Sequence, residues 1–294
     1  MRSAAAVRLR TNAKVNLFLR VRGRRPDGYH ELESVFHGIA LADDVEVRAT
    51  AGHDVEVDLR LADDVIGEVP APHENLATIA AGRLSARAGT KRGAAIAILK
   101  RIPLAAGLGG GSGNAAGVLV ALNELWQVGL GSDELKQVAG EVGSDVPYCI
   151  EGGTALATAR GEHLTALPSP ASMWFVLGIS NHPLYTREVY AAWDDLEPPE
   201  EVGSAAMIFA LGAGDPGEVA ALLHNDLEPA AFGLRPELQA KKDAMVAAGA
   251  LGAALAGSGP TVYGIATDRA HGESIATRIA GDFDRVVVVP SSPH

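Results

Sequence analysis

The stretch Pro103-Leu104-Ala105-Ala106-Gly107-Leu108-Gly109-Gly110-Gly111-Ser112-Gly113-Asn114-Ala115-Ala116 decides how this chain is read. Before it, Ala94 to Leu99 has the short apolar run of a buried strand. After it, Ala115 to Trp126 is rich in Ala, Leu and Val and free of proline, which predicts a buried helix entered directly from the glycines. Glycines let the backbone approach an anion closely, and a following helix adds free N–H groups and the positive end of its dipole. Five glycines, a serine and an asparagine in one turn point to a phosphate cradle rather than to a bare connection. The cradle is not a Walker loop, because no Gly-Lys-Ser/Thr closes it. A dinucleotide fingerprint starting at Gly107 needs Gly or Ala where Ser112 stands, and the His-Arg-Asp and Asp-Phe-Gly strings of protein kinases are absent.

Upstream of the loop, alternating apolar patterns at Val15 to Val21, Val45 to Val47 and Val55 to Leu59 predict strands and hairpins, and Asn75 is placed to cap a helix over Leu76 to Ala88. Downstream, Ser132 is read as the N-cap of a helix with Leu135 and Val138 on its apolar face, followed by a turn at Gly143-Ser144-Asp145. Strands are predicted at Thr154 to Ala159 and Trp174 to Ile179. Helices follow near Thr186 to Trp193, Ala205 to Leu211, Gly217 to Leu223 and Pro236 to Ala248, then strands around Ala253, Val262 and Val287. This order is α+β in two layers rather than a regular βαβ alternation. The Pro168-Ser169-Pro170 stretch divides the chain into domains 1–167 and 168–294. The string Leu-Ala-Asp-Asp at Leu41 and again at Leu61 is read as two Asp-rich turns alike by chance, and Glu197 to Glu201 as a solvated loop.

The balance of 25 basic to 36 acidic residues, a formal net charge of -11, argues against a nucleic-acid surface, so any phosphate must be held by local dipoles and a few placed cations. A single cysteine, Cys149, rules out an internal disulfide and suits a reducing compartment. The uncharged stretches are broken by Gly, Ser or Pro, and MRSAAAVRLR carries no apolar core of signal-peptide length. The expectation is a cytoplasmic protein with no membrane partner, a monomer or weak homodimer.

Pro103-x-x-x-Gly107-Leu108-Gly109, continuing into Gly110-Gly111-Ser112, resembles the nucleotide loop of the small-molecule kinases related to galactokinase, homoserine kinase, mevalonate kinase and phosphomevalonate kinase (GHMP kinases). Three more segments, in the family's order, carry the resemblance: Ala13-Lys14-Val15-Asn16-Leu17 with Arg25-Pro26-Asp27-Gly28-Tyr29-His30, then Gly143-Ser144-Asp145-Val146-Pro147, then Gly257-Ser258-Gly259-Pro260-Thr261. It implies a two-domain α+β fold, with an N-terminal half like ribosomal protein S5 domain 2 and a ferredoxin-like C-terminal half. It also implies transfer of the γ-phosphoryl of ATP, with Mg²⁺, to a hydroxyl of a small molecule. The branch matched most closely acts on a cytidine diphosphate conjugate of methylerythritol; homoserine, mevalonate or a sugar is the alternative acceptor. A protein that binds nucleotide without catalysis is a third reading.

Under the resemblance, Asp145 is the catalytic carboxylate that accepts the hydroxyl proton and Lys14 the catalytic ammonium that stabilises the transferred charge. The loop residues Pro103, Leu104, Ala105, Ala106, Gly107, Leu108, Gly109, Gly110, Gly111, Ser112, Gly113 and Asn114 bind ATP, with Lys100 lining the adenine site. Asn16, Tyr29, His30, Asp145 and Thr186 bind the acceptor. Asn16 lies two residues after Lys14 and so on the same strand face, and Tyr29 and His30 are suited to a cytosine ring. Thr186 is equally suited to cap a helix. The family usually has Ser where Gly113 stands, so one hydroxyl near the phosphates or Mg²⁺ is missing, and often Gly at Ala105 and Ala106, which stiffen the loop; neither change removes its backbone cradle. The histidines form no zinc pattern, and no motif names the Mg²⁺ ligands.

Overall fold

The computed structural model describes residues 6–65, 67–170, 173–197 and 201–292; Pro198 to Glu200, inside the expected solvated loop, lie outside them. In chain order the elements are β1 (Ala6–Arg24), β2 (His30–Thr50), β3 (Val55–Leu61), α1 (Leu76–Ala88), β4 (Gly93–Lys100), α2 (Gly110–Leu125), α3 (Ser132–Val142), α4 (Val146–Glu151), β5 (Thr154–Ala159), β6 (His163–Ala166) and β7 (Trp174–Ile179). They continue with α5 (Thr186–Asp194), α6 (Ala205–Ala213), α7 (Pro216–Ala221), β8 (His224–Asn225), α8 (Glu228–Leu234), α9 (Glu237–Ala247), β9 (Ala253–Leu255), β10 (Val262–Ala266), α10 (Arg269–Arg278) and β11 (Arg285–Pro290).

Contacts divide the chain into two compact units, Met1–Ala13 with Leu41–Leu104 and Gly109–Gly152, and Lys14–Ala40 with Ala105–Leu108 and Gly153–His294. This is a different division from a single cut at residue 167, because β1 and β2 are long strands that each pass from one unit into the other.

In the first unit β4 pairs with β2 antiparallel and with β3 parallel, and α1 to α4 supply the helical layer. Its core is mostly aliphatic, drawn from residues such as Val45 and Val47 of β2, Ile96 and Ile98 of β4, Leu84 of α1 and Leu119 of α2, with Trp126 buried among them. Helix α1 begins where its cap predicts: the Asn75 side chain accepts from the Ala77 N–H at 2.9 Å, and Gly89 ends the helix at φ +61°.

In the second unit β5 pairs with β2 and β6, and β8 pairs parallel with β1. A separate four-stranded sheet has the order β11-β7-β10-β9 with every neighbour antiparallel. The β7 to β9 crossover carries α5 to α9 and the β10 to β11 crossover carries α10. That is the split βαβ order of a ferredoxin-like sheet, as the resemblance implies. Small residues bring the helices onto it: a Cβ at Gly264 would stand 2.8 Å from Met245 Cγ, and one at Gly272 2.7 Å from Val288 Cγ1.

Three local expectations are corrected. Helix α2 starts at Gly110, not Ala115, so the last glycines of the loop are its first turn. The N-cap of α3 is Gly131, whose N–H donates to the Glu134 carboxylate at 3.0 Å, and Ser132 is already helical. Residues Leu41 to Asp44 lie inside β2 rather than in a turn. The short α4 and α8, the edge strands β6 and β8, and α10 were not anticipated, since each is too brief or too polar to show an apolar period.

Candidate active site

In the second unit β1 presents Lys14 and Asn16 on one face, both buried. The Lys14 ammonium donates to Asn16 Oδ1 at 2.8 Å and lies 5.0 Å from the Phe36 ring centroid. Asn16 is itself held: its Nδ2 donates to Ser34 Oγ at 2.8 Å, that hydroxyl donates to the Phe18 carbonyl at 2.8 Å, and the Tyr263 hydroxyl donates to the Asn16 carbonyl at 2.6 Å. With both ends of its amide occupied, Asn16 has a fixed orientation and gives Lys14 one defined acceptor.

Two glycine segments close on this pair. The Lys14 N–H donates to the Leu108 carbonyl at 2.9 Å, which seats loop residues 105–108 against β1. A Cβ on Gly257 would stand 3.5 Å from Asn16 Oδ1 and 3.6 Å from Lys14 Nζ, and Asn225 Nδ2 holds the Gly257 carbonyl at 2.7 Å. Gly107, at φ +77°, approaches the same segment so closely that a Cβ would lie 1.9 Å from the Ala256 carbonyl oxygen. Only glycine fits there. Ala105, expected to stiffen the loop, is instead at φ +49°, a backbone region that costs an L residue about 1 kcal/mol.

In the first unit the helix ladder of α2 opens with Gly113 N–H to Gly109 C=O at 2.9 Å, so the N–H groups of Gly110, Gly111 and Ser112 lie ahead of it. Gly109 turns the chain at φ +72°, and Gly111 is exposed. These features fit a phosphate group. Gly110 backs directly onto Lys100 and Ile102, where a Cβ would be 2.8 Å from Lys100 Nζ.

Lys100, expected to line the adenine site, turns its side chain inward. It is 1% exposed and its ammonium donates to Asp43 Oδ2 at 2.5 Å and to Asn114 Oδ1 at 3.2 Å. Burial lowers its pKa from the ordinary lysine value, while the Asp43 charge and hydrogen bond pull it back up. Asn114, expected on the ATP loop, likewise turns its side chain inward, donating to Asp43 Oδ2 at 2.9 Å and Thr11 Oγ1 at 3.1 Å. Both residues follow from geometry: β4 ends at Lys100 and α2 begins at Gly110, and the inward faces of the two elements meet over Asp43.

Asp145, half-buried, holds the N-cap position of α4 without its carboxylate bonding the helix N–H groups, unlike Asp215, which caps α7 through Gly217 and Glu218. The turn before it is tied by Val146 N–H to Gly143 C=O at 3.1 Å. Burial pushes the neighbouring Tyr148 phenol well above its ordinary pKa, the charges of Cys149 and Asp145 adding to the effect.

Tyr29 and His30 part company. Tyr29 is 54% exposed, with the Arg160 guanidinium 5.1 Å from its ring centroid. His30 turns onto α5: its Nε2 bonds Asp194 Oδ1 at 2.7 Å, and its ring stacks on Tyr190 at 4.7 Å and meets the edge of Trp193 at 5.7 Å. Thr186 is not the N-cap of α5, a position Tyr185 takes; its hydroxyl instead bonds Ser258 Oγ at 3.0 Å. Asp43, Ser34, Asp194 and Asn225 were missed from sequence, because a single polar residue in a strand or helix end carries no motif. Among the described residues no group of three or more His, Cys, Asp or Glu side chains could hold a metal, and no helix is long and apolar enough to cross a membrane.

Comparison with known proteins identifies the class to which this glycine-opened helix, buried strand lysine and split βαβ sheet belong. The profile of the GHMP kinases N terminal domain matches residues 75–153, and that of the GHMP kinases C terminal matches residues 207–284. The chain belongs to the GHMP kinases, small-molecule kinases whose phosphoryl donor is ATP. It is 42% identical over 276 residues, 94% of each chain, to a 4-diphosphocytidyl-2-C-methyl-D-erythritol kinase of Pelotomaculum thermopropionicum, and 42% identical over 279 residues to the kinase of the same name from Nocardia farcinica, covering 94% of this chain and 90% of that one. A crystal structure of 4-(cytidine 5'-diphospho)-2C-methyl-D-erythritol kinase superposes with a TM-score of 0.79 at 33% identity, covering 98% of this chain and 100% of the other. Homoserine kinase from Cytophaga hutchinsonii, at 20% identity and a TM-score of 0.77 over 99% of this chain and 96% of that one, shares the fold.

Proposed function

We propose that this chain transfers the γ-phosphoryl group of ATP to the 2-hydroxyl of 4-diphosphocytidyl-2-C-methyl-D-erythritol, a step in isoprenoid precursor synthesis by the non-mevalonate route. The observation that carries the reading is the similarity to kinases of that name across 94% of both chains. The linear domains 1–167 and 168–294 belong to the same proposal, each containing one of the two family matches.

The roles follow from the chemistry of each group. The acceptor hydroxyl gives its proton to the Asp145 carboxylate as its oxygen bonds the γ-phosphorus, and the bond from that phosphorus to the bridging oxygen breaks to release ADP. Lys14, oriented by Asn16, places its charge against the transferred group. The backbone N–H groups of Gly110, Gly111 and Ser112 take the phosphates, the glycines having no side chain to hold them off. Mg²⁺ bound with the nucleotide would neutralise phosphate charge. His30, held by Asp194, and the exposed Tyr29 face serve the cytosine ring, and the Thr186–Ser258 pair serves the acceptor side. An acidic chain with one cysteine suits the cytoplasm, as a monomer or weak homodimer.

The test is ADP release with Mg-ATP and a panel of acceptors: 4-diphosphocytidyl-2-C-methyl-D-erythritol, 2-C-methylerythritol 4-phosphate, mevalonate, homoserine and galactose. Turnover with the first compound alone, lowered about a thousandfold by Asp145→Asn, is the expected result. Turnover with another member in its place overturns the acceptor, and ATP binding without turnover of any member overturns the catalytic reading.

A further inference from the structure

We propose that Asp43 is a positioning residue for nucleotide binding: its one buried carboxylate fastens the chain on both sides of the glycine loop and so sets the helix end that receives phosphate. The inference rests on the kinase reading above.

Asp43 is fully buried in β2, one residue before the last β2–β4 pair, Asp44 with Leu99. There β4 runs out of β2 partners, and the N–H groups of Arg101 and the buried Ile102 need acceptors. Asp43 Oδ1 supplies one to both, at 2.7 Å and 2.9 Å. Its other oxygen, Oδ2, takes Lys100 Nζ at 2.5 Å and Asn114 Nδ2 at 2.9 Å. Lys100 to Ile102 lead into Pro103, and Asn114 stands in the first turns of α2, so the loop leaves and returns on the same carboxylate. Four donors on two oxygens need a carboxylate; an amide in that place has one acceptor oxygen and would turn a donor toward two of them. Close packing makes the clamp rigid. A Cβ at Gly117 would stand 2.7 Å from Thr11 Cγ2, and Thr11 Oγ1 in turn accepts from Asn114.

A residue that merely neutralised Lys100 would make the same ion pair, so the test must separate stability from positioning. Two variants do this, Asp43→Asn and the double variant Asp43→Asn with Lys100→Met, read by thermal melting, by calorimetric affinity for ADP, and by KM for ATP and for the acceptor. In Asp43→Asn the expected result is ADP affinity and ATP KM weakened about tenfold, the size of one lost charge-assisted bond, with acceptor KM within about twofold of the parent. The double variant leaves no ammonium buried without a counter-charge, so its melting temperature recovers while the nucleotide defect stays. A double variant with parental ADP affinity overturns the proposal, as does an equal rise in both KM values. Should the single variant not fold, the double variant decides alone. ADP affinity is independent of the acceptor, so a failure of the assigned substrate leaves this comparison intact.

Discussion

Two lysines of this protein are buried to nearly the same degree, Lys14 at 5% exposure and Lys100 at 1%, yet their surroundings differ in kind. Lys100 sits in a carboxylate-centred network in which Asp43 serves four donors. Lys14 has an amide oxygen at 2.8 Å and an aromatic face at 5.0 Å, with the Gly257 backbone close by. The Lys100 ammonium, tied to a buried carboxylate, is an internal fastening; the Lys14 ammonium is oriented by a fixed amide beside glycine segments. Under the proposed function Lys100 is the structural charge and Lys14 the working one, although both are buried.

Exchanging the damage between the two sites gives the largest expected effect. Lys14→Met and Asp145→Asn each lower kcat about a thousandfold, the range for losing a charge-stabilising group or a positioned base, with melting temperature close to the parent. Steady-state kinetics beside thermal melting checks this, and loss of kcat that merely tracks loss of fold would break the contrast. Lys100→Met leaves Asp43 buried without its counter-charge and lowers stability by about 3–5 kcal/mol in urea titration, while kcat per folded molecule falls far less than in Lys14→Met. A third polar group sharpens the comparison: His30→Ala raises acceptor KM about tenfold and leaves ATP KM in place, the size expected for one or two lost hydrogen bonds and a stacking face. The smallest effect is at the loop itself. Ala105→Gly relieves the φ +49° backbone and raises stability by about 0.5–1 kcal/mol, read as a small shift in the urea midpoint.

The segment at Leu41 shows how a polar residue escapes notice. Leu-Ala-Asp-Asp occurs twice, and both copies look like turns. At Leu61 a turn does follow the strand, with Val65 N–H bonded to the Ala62 carbonyl at 2.9 Å. At Leu41 the same letters lie inside β2, and Asp43 is fully buried. The string is identical, and what separates the copies is a strand end and a helix start brought to one of them by the fold.

Read alone, the sequence determined what is local or motif-borne. The cap of α1 at Asn75, the extents of β5 and β7 and the strand-glycine-helix order at the loop follow from periodicity and from side chains that bond their own backbone. The shared strand face of Lys14 and Asn16 follows from the two-residue period of a strand. Kinase membership followed from four motifs in order. Tertiary structure alone decided which polar groups face each other: that Lys100 and Asn114 turn inward onto Asp43, that His30 is held by Asp194, that Thr186 meets Ser258 instead of capping its helix, and that α2 begins among the glycines. The physical reason is common to all of them. A hydrogen bond between residues distant in the chain leaves no period and no spacing in the sequence, while the cost of burying a polar group unpaired makes such partners obligatory once the chain is folded.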